Sequence, residues 1–407
     1  MSRPGTTART SPQAGRTPRH LSSHAHLLQD VSQAPAPPGR SRRGRPDAIV
    51  VPATRPPSSL RGIIEVAAAL ETEIIVLGSR QTQVEQVAKR IGRVPGVRGL
   101  VVHVPEGYRL PLADLRTSHR TFAAVSGGRI SDLSVKRNLG LLLARLRGWQ
   151  KIVFVDDDIT VSSEALARVA AQLDRRRIAG MRCPTFADNS VFCHARRLAG
   201  LPQDVFLTGA VLGVNCTDLP LPYFPDIYNE DWFFFADAAA HHQLATVGRA
   251  KQAVYLPFAE PARAGHEEFG DVLAEGLYTL LQDLTSVDVT QPGHFARRLG
   301  AAATERHWTS FIDDRRDELA RTSKLLVEFD DPNHRNDVAD ALKSLSAADE
   351  RYTDAFDPIT TTRCAEFLDA WADDLDTWNT VYPRTNSVTL LEDAMKFLRI
   401  ETWAKVR

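Results

Sequence analysis

Short apolar runs rich in β-branched residues recur along the first half of the chain, with helix-period segments between them. Ala48–Val51, Glu73–Leu77, Leu100–Val104 and Lys151–Val155 are the runs. None alternates with polar residues, as strands buried on both faces do not. Ser58–Leu70, Gln81–Ile91 and Ser131–Leu146 carry apolar residues at helical spacing. Strand and helix in alternation predict an α/β fold with a mostly parallel sheet flanked by helices. Further strand-like pieces are expected at Ile178–Arg182 and Ala245–Tyr255, and helices at Trp232–His242 and Glu267–Leu281.

Two flanks differ from this body. Residues 1–45 are rich in Ser, Thr, Pro, Gly and Arg, with A-P-A-P-P at Ala34–Pro38. Such a segment buries too little apolar surface to offset its ordering entropy, and a disordered tail is expected. Beyond Pro292 the β signals thin out. Ala301–Phe329, Asn336–Phe356, Cys364–Trp378 and Ser387–Val406 read as amphipathic helices, a helical C-terminal subdomain over 291–407 behind a domain at 46–290.

Composition narrows the class. Lys plus Arg and Asp plus Glu both total 50, so nothing favours nucleic acid as a partner. No apolar run reaches the ~18 residues that span a bilayer, and no apolar core follows the N-terminal arginines. A cytoplasmic protein is expected. The four cysteines, Cys183, Cys193, Cys216 and Cys364, lack zinc spacing and read as buried apolar residues.

The chemistry concentrates after Lys151–Val155, where Asp156, Asp157 and Asp158 follow in a row. Open α/β sheets bind ligands beyond the carboxyl ends of their strands. Adjacent carboxylates repel, and a hard cation such as Mn²⁺ or Mg²⁺ offsets that repulsion. One Asp would suffice to cap the next helix; three exceed that need. Upstream, Lys136, Arg137 and Asn138 open a helix whose dipole disfavours cations there, unless an anion such as a diphosphate binds. Glu230 and Asp231 open the helix Y-N-E-D-W-F-F-F, where the dipole favours an acid pair and a structural cap is one reading.

These motifs, P-A-T-R-P after the first strand, K-R-N-x-G on a helix, V-F-V-D-D-D and E-D-W, resemble a family-2-like glycosyltransferase of the GT-A fold over residues 47–285. The resemblance implies a nucleotide-diphosphate sugar donor (UDP- or GDP-sugar) and a hydroxyl acceptor. It implies donor contacts from Pro52, Ala53, Thr54, Arg55, Lys136, Arg137, Asn138, Asp156 and Asp157. Asp156 would face the ribose, and Asp158, with Asp156 and His266, would hold Mn²⁺ or Mg²⁺. Asp231, beside Glu230, would be the base of an inverting transfer, and Gly209 and Trp232 would line the acceptor pocket. His266, 108 residues after Asp158, equally suits a retaining enzyme with a third metal ligand. The second strand ends I-I-V-L-G-S, without the acidic residue that family often carries there. A nucleotidylyltransferase, which needs a Gly-rich loop where this chain has prolines, and a non-catalytic sugar-nucleotide-binding scaffold are the rival readings.

Overall fold

The computed structural model describes residues 24–33, 44–111, 114–186, 189–202, 205–217, 219–281, 292–329, 331–382, 388 and 390–407. The strands are β1 (Leu28–Asp30), β2 (Ala48–Ala53), β3 (Glu73–Gly78), β4 (Gly99–His103), β5 (Lys151–Val155), β6 (Ile159–Thr160), β7 (Ile178–Arg182), β8 (Val211–Asn215), β9 (Leu244–Arg249), β10 (Lys251–Gln252) and β11 (Trp403–Val406). The helices of the first half are α1 (Arg61–Leu70), α2 (Val84–Gly92), α3 (Arg120–Val125), α4 (Leu133–Arg147), α5 (Ser163–Gln172), α6 (Val191–Leu198), α7 (Glu230–Ala240) and α8 (Ala262–Leu281). Then come α9 (Pro292–Ala302), α10 (Glu305–Val327), α11 (Arg335–Asp349), α12 (Thr361–Val381) and α13 (Leu391–Phe397).

Nine strands form one sheet in the order β1-β9-β7-β8-β5-β2-β3-β4-β11; β6 and β10 pair separately. Only β8 and the edge strand β11 run against the rest. The sheet is therefore mostly parallel, as the runs without alternation predict, and β5 begins and ends where the sequence sets it. Successive residues of β2 feed opposite faces. Ile49 and Val51 pack with α1, α2 and α5. Ala48 and Val50 pack with α4, α7, α8 and the C-terminal helices. The four cysteines are buried and form no disulfide. No helix of the described residues is long and apolar enough to cross a membrane.

Both flanks depart from expectation. Most of the predicted tail lies outside the described residues, but Leu28–Asp30 pairs in parallel with Leu244–Thr246. Leu27 and His24 are buried beside it, His24 edge-on to Trp232 and Tyr278. A few anchoring side chains and three paired residues suffice to hold that piece. At the other end the helices expected after residue 291 are present, yet Phe295, Trp308, Phe367, Trp371 and Trp378 share one core with the sheet. The helix expected over Ser387–Val406 stops at Phe397. Arg399 takes the left-handed conformation (φ 55°), and the chain turns to lay Trp403–Val406 antiparallel on β4.

Candidate functional site

The carboxyl ends of β2 and β5, the entry to β8, and the first turns of α4 and α7 meet at one cavity of about 520 Å³. Pro52, Thr54, Arg55, Lys136, Arg137, Asp156, Asp157, Asp158, Glu230, Asp231, Trp232 and His266 all line it. Ala53, Asn138 and Gly209 do not. They act on it from behind.

Arg137 is the centre of this assembly. It is 2% exposed. Its Nη2 donates to both carboxylate oxygens of Asp156 at 3.2 Å, and its Nη1 donates to Glu230. The guanidinium also lies over the Phe224 ring at 5.6 Å. Burial works against its charge, but Asp156, Glu230 and Asp231 more than compensate and hold it protonated. A Cβ on Gly209 would stand 2.5 Å from Arg137 Nη1. The missing side chain at 209 is thus what makes room for this guanidinium. The sequence reading placed Gly209 on the acceptor pocket; its neighbour Thr208 takes the lining position instead.

Lys136 points the other way, under β2. Its Nζ donates to Ala53 O (2.9 Å) and Ser79 Oγ (2.7 Å) and pairs with Asp132 at 3.0 Å. Burial lowers its pKa, against the pull of Asp132. Asn138 bonds the backbone of Phe224 twice, through Nδ2 to its O (2.7 Å) and through Oδ1 from its N–H (2.8 Å). That clamp holds the aromatic ring on which Arg137 rests. Asn138 is thereby tied to the backbone and lines a second cavity of about 570 Å³, not the first. The two cavities share Arg80, Arg129, Ile130, Ser131 and Asp132 as a wall.

The three aspartates do different work. Ser162, not an aspartate, caps α5, so that competing explanation falls away. Asp156 faces the cavity from Arg137, its side chain 18% exposed. Asp157 turns inward: its Oδ2 accepts the N–H groups of Thr54 (2.7 Å) and Arg55 (2.9 Å), tying the exit of β2 to the exit of β5. Asp158 accepts from Arg55 Nη2 (3.1 Å) and Gln252 Nε2 (3.3 Å). Arg55 Nη1 reaches Asp157, so one guanidinium bridges two adjacent carboxylates.

On α7, Asn229 precedes the helix in the left-handed conformation (φ 62°), and Asp271 holds its side chain (2.8 Å). Glu230 and Asp231 are 4% and 8% exposed. Asp231 accepts the N–H of Gly209 through Oδ2 and that of Trp232 through Oδ1 (2.9 Å). Both oxygens are anchored by backbone. Trp232 is half-buried against Phe206 and Tyr278. His266 lines the same cavity from α8, packed near the Gly127 turn.

Sequence reading missed Ser79, Asp132, Gln252, Tyr255 and Arg263, and it gave Glu267 no function. Asp132 was accessible through its i, i+4 spacing to Lys136. The others meet the site only through the fold. Burial pushes Glu267 up to about 7, with Arg263 opposing.

The metal set expected of Asp156, Asp158 and His266 does not come together in the fold. A cation, the Arg55 guanidinium, already rests on Asp157 and Asp158, and the donors are carboxylate oxygens. Among the described residues no three His, Cys, Asp or Glu gather to hold a metal. The protein would supply one or two ligands and leave the rest to phosphate and water, which is Mg²⁺ habit at phosphate sites.

No family model matches the chain, and no curated protein matches it. Among solved structures it is similar to mannosyl-3-phosphoglycerate synthase from Rubrobacter xylanophilus. That match is 14% identical, with a TM-score of 0.38, and covers 66% of this chain and 87% of that one. At that score the likeness bears on no residue of the site.

Proposed function

We propose that the chain transfers a sugar from a nucleotide-diphosphate donor to a hydroxyl acceptor, with inversion, at the 520 Å³ cavity. One observation carries the reading. Arg137 joins the strand-end carboxylate Asp156 to Glu230 at the start of α7, so the residues expected to meet donor and acceptor lie on one hydrogen-bonded unit. The donor's diphosphate would lie among Arg55, Arg137 and Arg80, whose charge stabilises the leaving nucleotide as it develops. Asp156 would take the ribose. Asp158 would hold Mn²⁺ or Mg²⁺, which supplies Lewis-acid stabilisation of the leaving group when bound. Asp231 would accept the proton of the acceptor hydroxyl. The N–H groups of Gly209 and Trp232 hold its carboxylate in place.

The same two contacts favour a second reading. A carboxylate anchored through both oxygens is also what a structural role requires, and the enzyme would then be retaining, with no protein base. The test is release of free UDP or GDP from nucleotide sugars by the full chain with Mn²⁺, comparing wild type with Asp231→Asn. Turnover by wild type that falls by about 10²-fold or more in the variant supports the base. Turnover within about threefold of wild type supports the retaining course.

A further inference from the structure

Residues 228–232 carry Glu230 and Asp231, and three members of this segment are gripped by α8. A Cβ on Gly270 would run into Tyr228 O and stand 2.7 Å from Tyr228 Cβ, so Tyr228 seats where α8 has no side chain. Asp271 Oδ1 accepts from Asn229 Nδ2 at 2.8 Å. Tyr278 Oη donates to Trp232 O at 2.9 Å. Gly270, Asp271 and Tyr278 share one face of α8, because the seven residues from Asp271 to Tyr278 make about two turns. Both Asp271 and Tyr278 are buried. The helix is fastened in turn to the C-terminal layer. Asp271 gives its other oxygen to Arg315 Nη2 at 3.0 Å, and a Cβ on Gly265 would stand 2.9 Å from Ala347 O.

Both Asp231 oxygens are taken by backbone N–H groups, so the first turn of α7 sets where its carboxylate stands. That turn starts from Asn229 in the left-handed region (φ 62°), a conformation uncommon outside glycine. The bond to Asp271 holds Asn229 in it. We propose that Asn229, Gly270, Asp271 and Tyr278 are positioning residues: α8 is a rail that fixes Glu230 and Asp231 at the depth and angle the reaction needs. The donor residues stand on other elements, at the ends of β2 and β5 and on α4, so loosening the rail should slow the chemistry and spare donor binding. The catalytic half of this proposal rests on the sugar-transfer reading; the hold of α8 on residues 228–232 does not.

The experiment compares the full-length wild type with Asn229→Gly, Gly270→Ala, Tyr278→Phe and Asp231→Asn. It measures kcat and donor KM with UDP- and GDP-sugars and Mn²⁺, the affinity for UDP and GDP, amide hydrogen exchange over residues 228–232, and melting temperature. Asn229→Gly keeps the left-handed turn and removes the tie to Asp271. A misplacement near 1 Å can cost about 10²-fold in rate, so Asn229→Gly should lower kcat by about tenfold or more. Its nucleotide affinity should stay within about threefold of wild type, with residues 228–232 exchanging faster. Gly270→Ala, which pushes on Tyr228, should do the same, and Tyr278→Phe, which loses one bond to Trp232 O, should lose less. A merely structural contact would lower the melting temperature and leave the kcat of the folded protein unchanged.

If Asn229→Gly and Gly270→Ala both keep kcat within about threefold of wild type, the proposal is overturned, whatever Asp231→Asn does. Nucleotide affinity falling in step with kcat overturns it too. If the two rail variants lose kcat while Asp231→Asn does not, the rail stands and Asp231 as the base is what fails. If wild type releases no nucleotide from any donor, the sugar-transfer reading fails and exchange judges the rail: faster exchange in both variants upholds it, and wild-type rates overturn it.

Discussion

Two buried arginines, Arg137 and Arg315, look alike by most measures and differ in what surrounds them. Both are almost fully enclosed, at 2% and 0% exposure, both pair with more than one carboxylate, and both lie over an aromatic ring. Arg315, on α10, donates twice to Glu268 (2.9 and 2.8 Å) and once to Asp271 (3.0 Å), with Glu275 at 3.5 Å. Tyr352 adds a bond to Glu268. Burial pushes the Glu275 carboxyl up, with Arg315 opposing. The anions of this cluster are spent inside the protein, fastening α10 to α8. The anion of Arg137 reaches a cavity. Buried charge pairing therefore marks structure as readily as function; what sets the candidate site apart is that Asp156 opens onto space where a ligand fits.

The comparison breaks most easily through stability. Arg315→Met leaves Glu268, Asp271 and Glu275 without their cation, and uncompensated buried charge typically costs about 3–5 kcal/mol. Denaturant unfolding measures it, and nucleotide binding at low denaturant should survive. Loss of nucleotide binding with stability unchanged would erase the distinction between the two arginines.

A pH effect of roughly 3 kcal/mol is expected at the edge of the site. His194 donates to or accepts from Tyr255 (3.0 Å) and stacks on Phe186, and burial lowers its pKa to about 4. The native ring resists protonation while the unfolded one does not. The unfolded chain thus binds more protons between pH 6.5 and 4, and stability falls as pH drops through that window. In His194→Gln that loss should vanish from the pH dependence of unfolding; an unchanged profile would refute the assignment.

Asp231→Asn sharpens the contrast on the catalytic side. Turnover should fall by about 10²-fold or more. An amide can accept from only one of the Gly209 and Trp232 N–H groups, so the melting temperature should also drop, by an amount corresponding to about 1–3 kcal/mol. Turnover, donor affinity and melting measured together separate the two effects.

Gly209→Ala should be the mildest. Its Cβ meets a guanidinium that can yield slightly, and overpacking of this kind costs about 1–3 kcal/mol. Weaker nucleotide binding should accompany it, because Arg137 would shift away from Asp156. An unchanged nucleotide affinity would count against Arg137 as the organiser of the site.

Much of this was legible in the sequence where the signal is local. The β-branched runs gave β2 to β5, and the pairing of an acidic start with aromatic residues gave α7. Lys136, Arg137, the three aspartates, Glu230 and Asp231, singled out from the sequence, line one cavity. The rest depends on partners far along the chain. That Asn138 clamps Phe224, that Asp157 ties down Thr54 and Arg55, and that Lys136 reaches Ala53 and Ser79 cannot be read from residue type. Nor can the edge strands: Leu28–Asp30 and Trp403–Val406 are too short to carry a period and exist because β9 and β4 offer unpaired edges.

The most direct test of the central claim is a thermal-shift panel of UDP- and GDP-sugars, with the free nucleoside diphosphates, on the full chain with and without Mn²⁺. The account predicts that at least one donor and its diphosphate raise the melting temperature. It further predicts that Mn²⁺ enlarges the shift and that Asp158→Asn removes that enlargement. No shift with any nucleotide, in either the presence or absence of Mn²⁺, would contradict it.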